Sequence, residues 1–270
     1  MIVVESGGTK STWVFTNSLD KTVVVSSVGL HPQELSEEKR IAVSKIIQEY
    51  KLLGNAVYFF GAGCESKEAK EKITLFLEEF SLVVKQVETD IYAACIAHLG
   101  NTKGIVGIIG TGAVAAYFDG DKVVQQTSGL GYILGDEGSG FDMGKRLLQS
   151  YYRNELTEAI EQRINEYFNH KSILHRIYES DGRMVVAGLT KIISEFRTEL
   201  KIQKIVRDSF LEFCETALKP LNRIYPINFI GSVAYYFQKE LEIALSESGF
   251  ELGNIEQEAV HSVFGFLSNE

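Results

Sequence analysis

Residues 104–127, GIVGIIGTGAVAAYFDGDKVVQQT, decide the fold. An apolar run over residues 104–109 reads as a buried strand, and Gly110-Thr111-Gly112 forces a turn. Residues 113–118 return as a second strand. Asp119-Gly120-Asp121-Lys122 is a tight hairpin signal, and residues 123–127 supply a third strand. The N-terminus, MIVVESGGTKSTWVFTNSLDKTVVV, follows the same plan about a hundred residues earlier. Strand 1–4 leads into the turn Glu5-Ser6-Gly7-Gly8-Thr9-Lys10, strand 11–16, the turn at residues 17–20, and strand 22–25. Two copies of strand, Gly-Thr turn, strand, Asp-containing turn, strand imply a duplicated lobe.

Outward from these meanders the pattern is mixed α/β. Residues 36–51 form a helix with an apolar stripe of Leu35, Ile41, Ile46 and Ile47. Strand 57–60, amphipathic helix 67–80 and strand 82–87 follow, and Asp90 heads a small-residue helix over 91–99. After Gly138 the chain turns mostly helical to about Tyr225. It then resumes as strand 227–230, the turn Gly231-Ser232 and a helix from 233 to about 246. A lobe boundary falls within residues 98–103.

Composition narrows the function. The 270 residues are 45% hydrophobic and 23% charged, which excludes a disordered or coiled-coil chain. With 27 Lys and Arg against 36 Asp and Glu the net charge is −9, and no basic stripe marks a nucleic-acid surface. No apolar run reaches the ~20 residues of a membrane span. The N-terminus runs straight into a strand, so the expectation is a soluble, cytoplasmic protein. Cys64, Cys95 and Cys214 lack metal-ligand spacing and read as buried reduced thiols. The 24 glycines contrast with 3 prolines, and twelve of them lie between Gly100 and Gly144, where backbone must turn sharply or approach something closely.

A strand–Gly-Thr–strand turn offers backbone N–H groups, a hydroxyl and no obstructing side chains, which suits phosphate oxygens. Two such turns in matching places could hold a polyphosphate from both sides. Other grips fail. Gly8-Thr9-Lys10-Ser11 lacks Walker A spacing, and Gly144-Lys145 is followed by Arg146. Gly110-x-Gly112-x-x-Ala115 fits a relaxed dinucleotide fingerprint, but it opens a strand where that motif needs a helix. In the segment Ser128–Gly140, Asp136 and Glu137 sit among glycines. Either Asp136 or Ser139 caps the following helix, or Asp136 accepts hydrogen bonds from substrate hydroxyls. Asp90, at a strand's carboxyl end, either caps its helix or takes the proton of an attacking alcohol.

With these pieces in order, the chain resembles the sugar-kinase/actin/Hsp70 superfamily, and within it the BadF/BadG/BcrA-type ATPases and N-acetylglucosamine kinases. Glu5-Ser6-Gly7-Gly8-Thr9-Lys10-Ser11 is similar to the first phosphate motif, and Gly110-Thr111-Gly112 to the second. Gly29-Leu30-His31-Pro32 resembles the Gly-x-Asn-Pro segment that meets the sugar, and Gly61-Ala62-Gly63-Cys64 a small-lobe loop. Thr89-Asp90 resembles the catalytic acid, Gly129-Leu130-Gly131-Tyr132 through Ser139 the sugar-side segment, and Gly231-Ser232-Val233 the adenosine motif.

The resemblance implies an α/β, two-lobed actin-like ATPase (ribonuclease H-like) fold, with duplicated mixed sheets flanked by helices. Residues 1–98 would form the first lobe and 99–270 the second, with the last helix packing back on the first. It also implies ATP and Mg²⁺ as cofactors and transfer of the γ-phosphoryl to the 6-hydroxyl of N-acetylglucosamine or a related hexosamine. Asp90 would be the base, and Gly8, Thr9, Lys10, Gly110, Thr111 and Gly112 would grip phosphate. Gly231 and Ser232 would meet adenosine, while His31, Gly131, Tyr132 and Asp136 would meet the sugar. Glu5 would hold Mg²⁺ through water. Two departures stand out: Glu5 replaces the usual Asp, and His31 the usual Asn. They keep a second reading open, a weakly catalytic or non-catalytic nucleotide-binding switch. Activators of radical dehydratases, which hold an iron–sulfur cluster, need a compact cysteine pair that this chain lacks. Neither nucleic acid nor membrane is expected as a partner, and a homodimer is left open.

Overall fold

The structure is a computed structural model describing residues 1–7, 10–17, 19–222 and 224–269. The chain divides into two compact units, Met1–Thr102 with Glu258–Glu270, and Lys103–Gln257.

The first unit is built on five strands, β1 (Ile2–Ser6), β2 (Lys10–Thr16), β3 (Thr22–Val28), β4 (Ala56–Gly61) and β5 (Val83–Glu88), in the order β3-β2-β1-β4-β5. The first three form an antiparallel meander, and β4 and β5 add in parallel. β1 is an apolar run because it is central, with Ile2, Val3 and Val4 fully buried. Edge strand β3 instead alternates exposed and part-buried residues. Helices α1 (Glu37–Glu49) and α2 (Lys67–Glu78) supply the connections from β3 to β4 and from β4 to β5, and α3 (Asp90–Leu99) follows β5. Trp13, Phe15, Phe59 and Phe76 anchor the core. The C-terminal helix, Val260–Ser268, belongs to this unit and packs on α3, β1 and β2.

The second unit repeats the topology. Its strands are β6 (Gly104–Ile109), β7 (Ala113–Phe118), β8 (Val123–Ser128), β9 (Ile227–Ile230) and β10 (Leu252–Glu256), ordered β8-β7-β6-β9-β10. Again there is an antiparallel meander followed by two parallel strands. The dinucleotide-motif reading of Gly110 fails as expected, since β7 pairs antiparallel with β6. Between the meander and β9 come α4 (Gly140–Tyr152), α5 (Glu158–Tyr167), α6 (Ile173–Ile177), α7 (Gly182–Gly188), α8 (Thr190–Glu195) and α9 (Leu200–Phe213). α10 (Ser232–Tyr236) and α11 (Gln238–Glu247) follow β9.

Three expectations change. Ile41, read as part of the apolar stripe of α1, is 63% exposed, and Val43 is buried with Ile46 and Ile47 instead. The helix over 233–246 is two helices, broken at Phe237 (φ −111°, ψ 29°), whose buried ring lies 5.3 Å from the Arg197 guanidinium carbon. β10 was not expected at all. It is irregular: its register shifts between Leu252 and Ile255, and Asn254 N–H donates to Asn228 Oδ1 at 2.9 Å. A Cβ on Gly253 would lie 2.6 Å from that oxygen, so a polar, glycine-bearing stretch sits where the duplication requires an edge strand.

Candidate functional site

In the first unit the loops at the carboxyl ends of the parallel strands converge. Gly7 N–H donates to Lys10 O at 2.9 Å, closing the first glycine turn. Gly8 and Thr9, assigned to phosphate from sequence, lie outside the described residues. Buried Ser6 ties in two further loops. Its hydroxyl accepts from Leu30 N–H at 2.7 Å, and its carbonyl accepts from Ala62 N–H at 3.0 Å. His31 is thereby set against Gly63, where a Cβ would come within 2.4 Å of the imidazole Nε2. The three segments that the sequence singled out, at Gly7, His31 and Gly63, therefore share one end of one sheet.

Asp90 lies two residues beyond the end of β5, at the start of α3. Thr89, not Asp90, is the helix cap, its hydroxyl accepting from Tyr92 N–H at 3.2 Å. The Asp90 carboxylate accepts from its neighbour Ile91 N–H at 2.9 Å. Burial pushes its pKa up to about 6; the Ile91 hydrogen bond opposes this, and the Glu65 charge adds to it.

Glu5 is pushed further, to about 7, again chiefly by burial. The N–H of Val260, at the start of the C-terminal helix, donates to Glu5 at 2.8 Å and works against the shift; Glu258 and Asp90 raise it. Lys10 does not point into solvent alone. Its ammonium pairs with Glu258 at 2.6 Å, and the other Glu258 oxygen accepts from Thr12 Oγ1 at 3.2 Å. Sequence reasoning missed Glu258, for 248 residues separate it from Lys10. No group of three or more His, Cys, Asp or Glu side chains arranged to hold a metal occurs among the described residues.

In the second unit Gly110-Thr111-Gly112 joins β6 to β7, closed by Gly110 N–H donating to Gly112 O at 2.9 Å. Its carbonyls are taken up by α4: Gly140 N–H donates to Gly110 O at 2.8 Å and Phe141 N–H to Thr111 O at 3.3 Å. The N–H groups of Thr111 and Gly112 have no protein acceptor among the described residues, which leaves two donors at the tip. Ser139 is the α4 cap, its hydroxyl accepting from Asp142 N–H at 3.1 Å.

Asp136 is 3% exposed and holds φ +64°, a left-handed conformation that Asp tolerates better than most residues. Oδ1 accepts from Ala113 N–H at 3.2 Å, and Oδ2 pairs with the Arg183 guanidinium at 2.8 Å. A Cβ on Gly112 would lie 3.1 Å from both carboxylate oxygens, so this glycine makes room for the acid. Tyr132, 43% exposed, packs edge-on to Phe141 and lies under the same guanidinium at 5.6 Å; Gly131 beside it has φ +77°. Gly231 ends β9 beside the end of β6 with φ +121°, and a Cβ there would be 2.4 Å from Ile109 O. Ser232 then opens α10. The adenosine and second phosphate assignments therefore occupy adjacent strand ends of one sheet. The cysteines are all buried and unpaired. Among the described residues no helix is long and apolar enough to cross a membrane.

No family model matches the chain. It is 24% identical over 234 residues to an N-acetylmuramic acid/N-acetylglucosamine kinase of Clostridium acetobutylicum, covering 78% of this chain and 76% of that one. A Porphyromonas gingivalis protein described as a candidate N-acetylglucosamine kinase superposes with TM-score 0.86 at 27% identity, over 100% of this chain and 99% of its own. A ROK family glucokinase of Streptomyces griseus, solved with glucose and AMPPNP, shares the fold at TM-score 0.56 and 15% identity, covering 97% of each chain. With two sheets of identical strand order, and with likenesses that run along nearly its whole length, the chain has an actin-like fold and is similar to sugar kinases built on it.

Proposed function

We propose that this protein is an ATP-dependent sugar kinase that transfers the γ-phosphoryl group to the 6-hydroxyl of N-acetylglucosamine or a related hexosamine. The observation that carries the reaction is Asp90: a carboxylate at the end of a parallel strand, its pKa raised to about 6. A base of that strength is ionised at neutral pH yet accepts a proton more readily than an ordinary aspartate. It would take the proton of the sugar hydroxyl as the oxygen attacks phosphorus. Phosphate would be gripped by Gly8, Thr9 and Lys10 and by Gly110, Thr111 and Gly112, whose tip offers two unpaired N–H donors. Gly231 and Ser232 would meet adenosine, and His31, Gly131, Tyr132 and Asp136 the sugar. Two oxygens of Asp136 already hold Ala113 and Arg183, but a carboxylate has further lone pairs for sugar hydroxyls.

Mg²⁺ fits the donor chemistry of the first unit. Glu5 is a hard oxygen ligand whose charge is disfavoured by burial and by Glu258 and Asp90, conditions that a nearby cation relieves. Mg²⁺ ordinarily keeps several waters and needs only one or two carboxylates besides phosphate. When bound, it would neutralise charge on the transferring phosphoryl group.

A coupled ADP-release assay across hexoses and hexosamines tests this reading. Turnover stimulated by N-acetylglucosamine or a related hexosamine supports it. Tight ATP binding with no response to any sugar favours the nucleotide-binding switch. Two finer outcomes are expected. kcat/KM for sugar at saturating ATP should fall about tenfold per pH unit below about 6, because protonated Asp90 accepts nothing; an acid limb near 4 would point to a different base. Gly110→Ala adds a methyl that meets no protein atom within 4 Å, at a φ that needs no glycine. Its melting temperature should match wild type while ATP affinity drops roughly tenfold, since the methyl blocks the approach of phosphate. Unchanged ATP affinity would remove Gly110 from the phosphate grip.

A further inference from the structure

We propose that Arg183 is a phosphate-gripping residue of the nucleotide site, held at the second glycine turn by Asp136. The inference rests on the kinase reading for the identity of the anion, but its geometry lies wholly within the second unit. Arg183 Nη2 would be 2.6 Å from a Cβ on Gly112, so the guanidinium abuts the Gly110-Thr111-Gly112 turn. One of its N–H groups is committed to Asp136 Oδ2 at 2.8 Å. A guanidinium carries five such donors, and the Arg183 side chain is 42% exposed, so most of its hydrogen-bonding capacity remains free beside the turn. The two unpaired N–H groups of Thr111 and Gly112 lie on that turn. Backbone donors and a half-exposed guanidinium side by side recognise a phosphate group, whose oxygens accept several charge-assisted hydrogen bonds at once.

The arginine is also held in place. Stacking on Tyr132, with 5.6 Å from guanidinium carbon to ring centroid, restricts the plane of the fork. The backbone that carries it is clamped by close approach. α7 presses against α4 so tightly that a Cβ on Gly144 would fall 2.0 Å from Val186 O. At the start of α7 a Cβ on Gly182 would fall 1.9 Å from Ile177 O. These two close approaches, at Gly144 and Gly182, thus set the position of Arg183. Asp136 is in this account a positioning residue as well as a candidate sugar contact. It is almost fully buried, spans Ala113 N–H and the guanidinium, and so couples the arginine to the first residue of β7.

The test is nucleotide binding by the purified full-length chain without sugar, titrating ATP and adenosine separately by calorimetry in the presence of Mg²⁺. Arg183→Ala should weaken ATP binding roughly 10- to 100-fold, the worth of one or two hydrogen bonds to a charged group. Adenosine affinity should stay within about twofold of wild type, and Arg183→Lys should recover part of the loss. Because Arg183→Ala leaves Asp136 without its partner, melting temperatures are measured alongside, and Arg183→Gln provides a variant that keeps a donor without charge. Equal ATP affinity for wild type and the Ala and Gln variants would overturn the proposal, leaving the ion pair a purely structural tie even if the variants melt earlier. Equal losses for ATP and adenosine would overturn it too. Sugar-stimulated turnover, measured separately, decides the kinase reading: it can survive an Arg183 variant that binds ATP normally, and it can fail while ATP binding still depends on Arg183.

Discussion

Asp90→Asn is expected to bind ATP as tightly as wild type while transferring phosphate about 10²- to 10⁴-fold more slowly, the usual contribution of a positioned base. Asn has nearly the same shape, and its carbonyl oxygen can still accept from Ile91 N–H, so the start of α3 is preserved. Thr89 keeps the cap itself. What is lost is an atom that can take a proton. The variant should also be at least as stable as wild type at pH 7 to 8. A carboxyl whose pKa rises on folding destabilises the folded state once pH exceeds its unfolded value, and the deficit is complete above the folded value of about 6. Removing the charge abolishes that deficit, and it also removes one of the charges that raise the pKa of Glu5. An inactive enzyme with an unchanged or higher melting temperature is the signature of a residue kept for chemistry. Normal turnover by the variant would sink the base assignment.

The second large effect is expected from Gly231→Ala. With φ +121° and ψ 154° this residue occupies a region open essentially to glycine alone. The added methyl would also sit 2.4 Å from Ile109 O and 2.8 Å from Ile109 C, backbone atoms of a central strand that cannot swing aside. Strain and overpacking together should cost about 2–4 kcal/mol. Because Ile109 leads directly into the Gly110-Thr111-Gly112 turn, proposed to grip phosphate, ATP binding should fall with stability. Gly131→Ala is the control. It also has positive φ, at +77°, but its methyl would meet nothing within 4 Å, so only the conformational cost of about 1 kcal/mol applies. Comparable melting temperatures for the two variants would show that the strand ends can separate, contrary to the packing described.

The elements carrying backbone-level signals were legible in the sequence. Both meanders could be read because a buried strand, a glycine turn and a return strand are local patterns, and their repetition pointed to the duplication. Asp90 and Asp136 stood out because acids rarely sit at strand ends or among glycines without a reason. The partners of the site residues could not be read the same way. Arg183 lies 47 residues from Asp136 in a helical stretch without a motif, and Gly144 and Gly182 bring it to the turn through packing alone. Glu258 reaches Lys10 across nearly the full length of the chain. β10 escaped notice because it is stabilised by the Asn228 side chain and a parallel neighbour, not by alternating apolar residues of its own. The break at Phe237 is likewise tertiary, since residues on both sides have ordinary helical character.

Phosphoryl transfer to a sugar 6-hydroxyl is read from the product itself. The purified protein is incubated with ATP, Mg²⁺ and N-acetylglucosamine, or with the corresponding 6-deoxy sugar, and ADP and sugar phosphate are quantified by mass spectrometry and phosphorus NMR. One sugar 6-phosphate per ADP is expected with the complete sugar, and neither product above background with the 6-deoxy analogue. ADP released without sugar phosphate, or equal phosphorylation of the 6-deoxy sugar, would contradict transfer to the 6-hydroxyl.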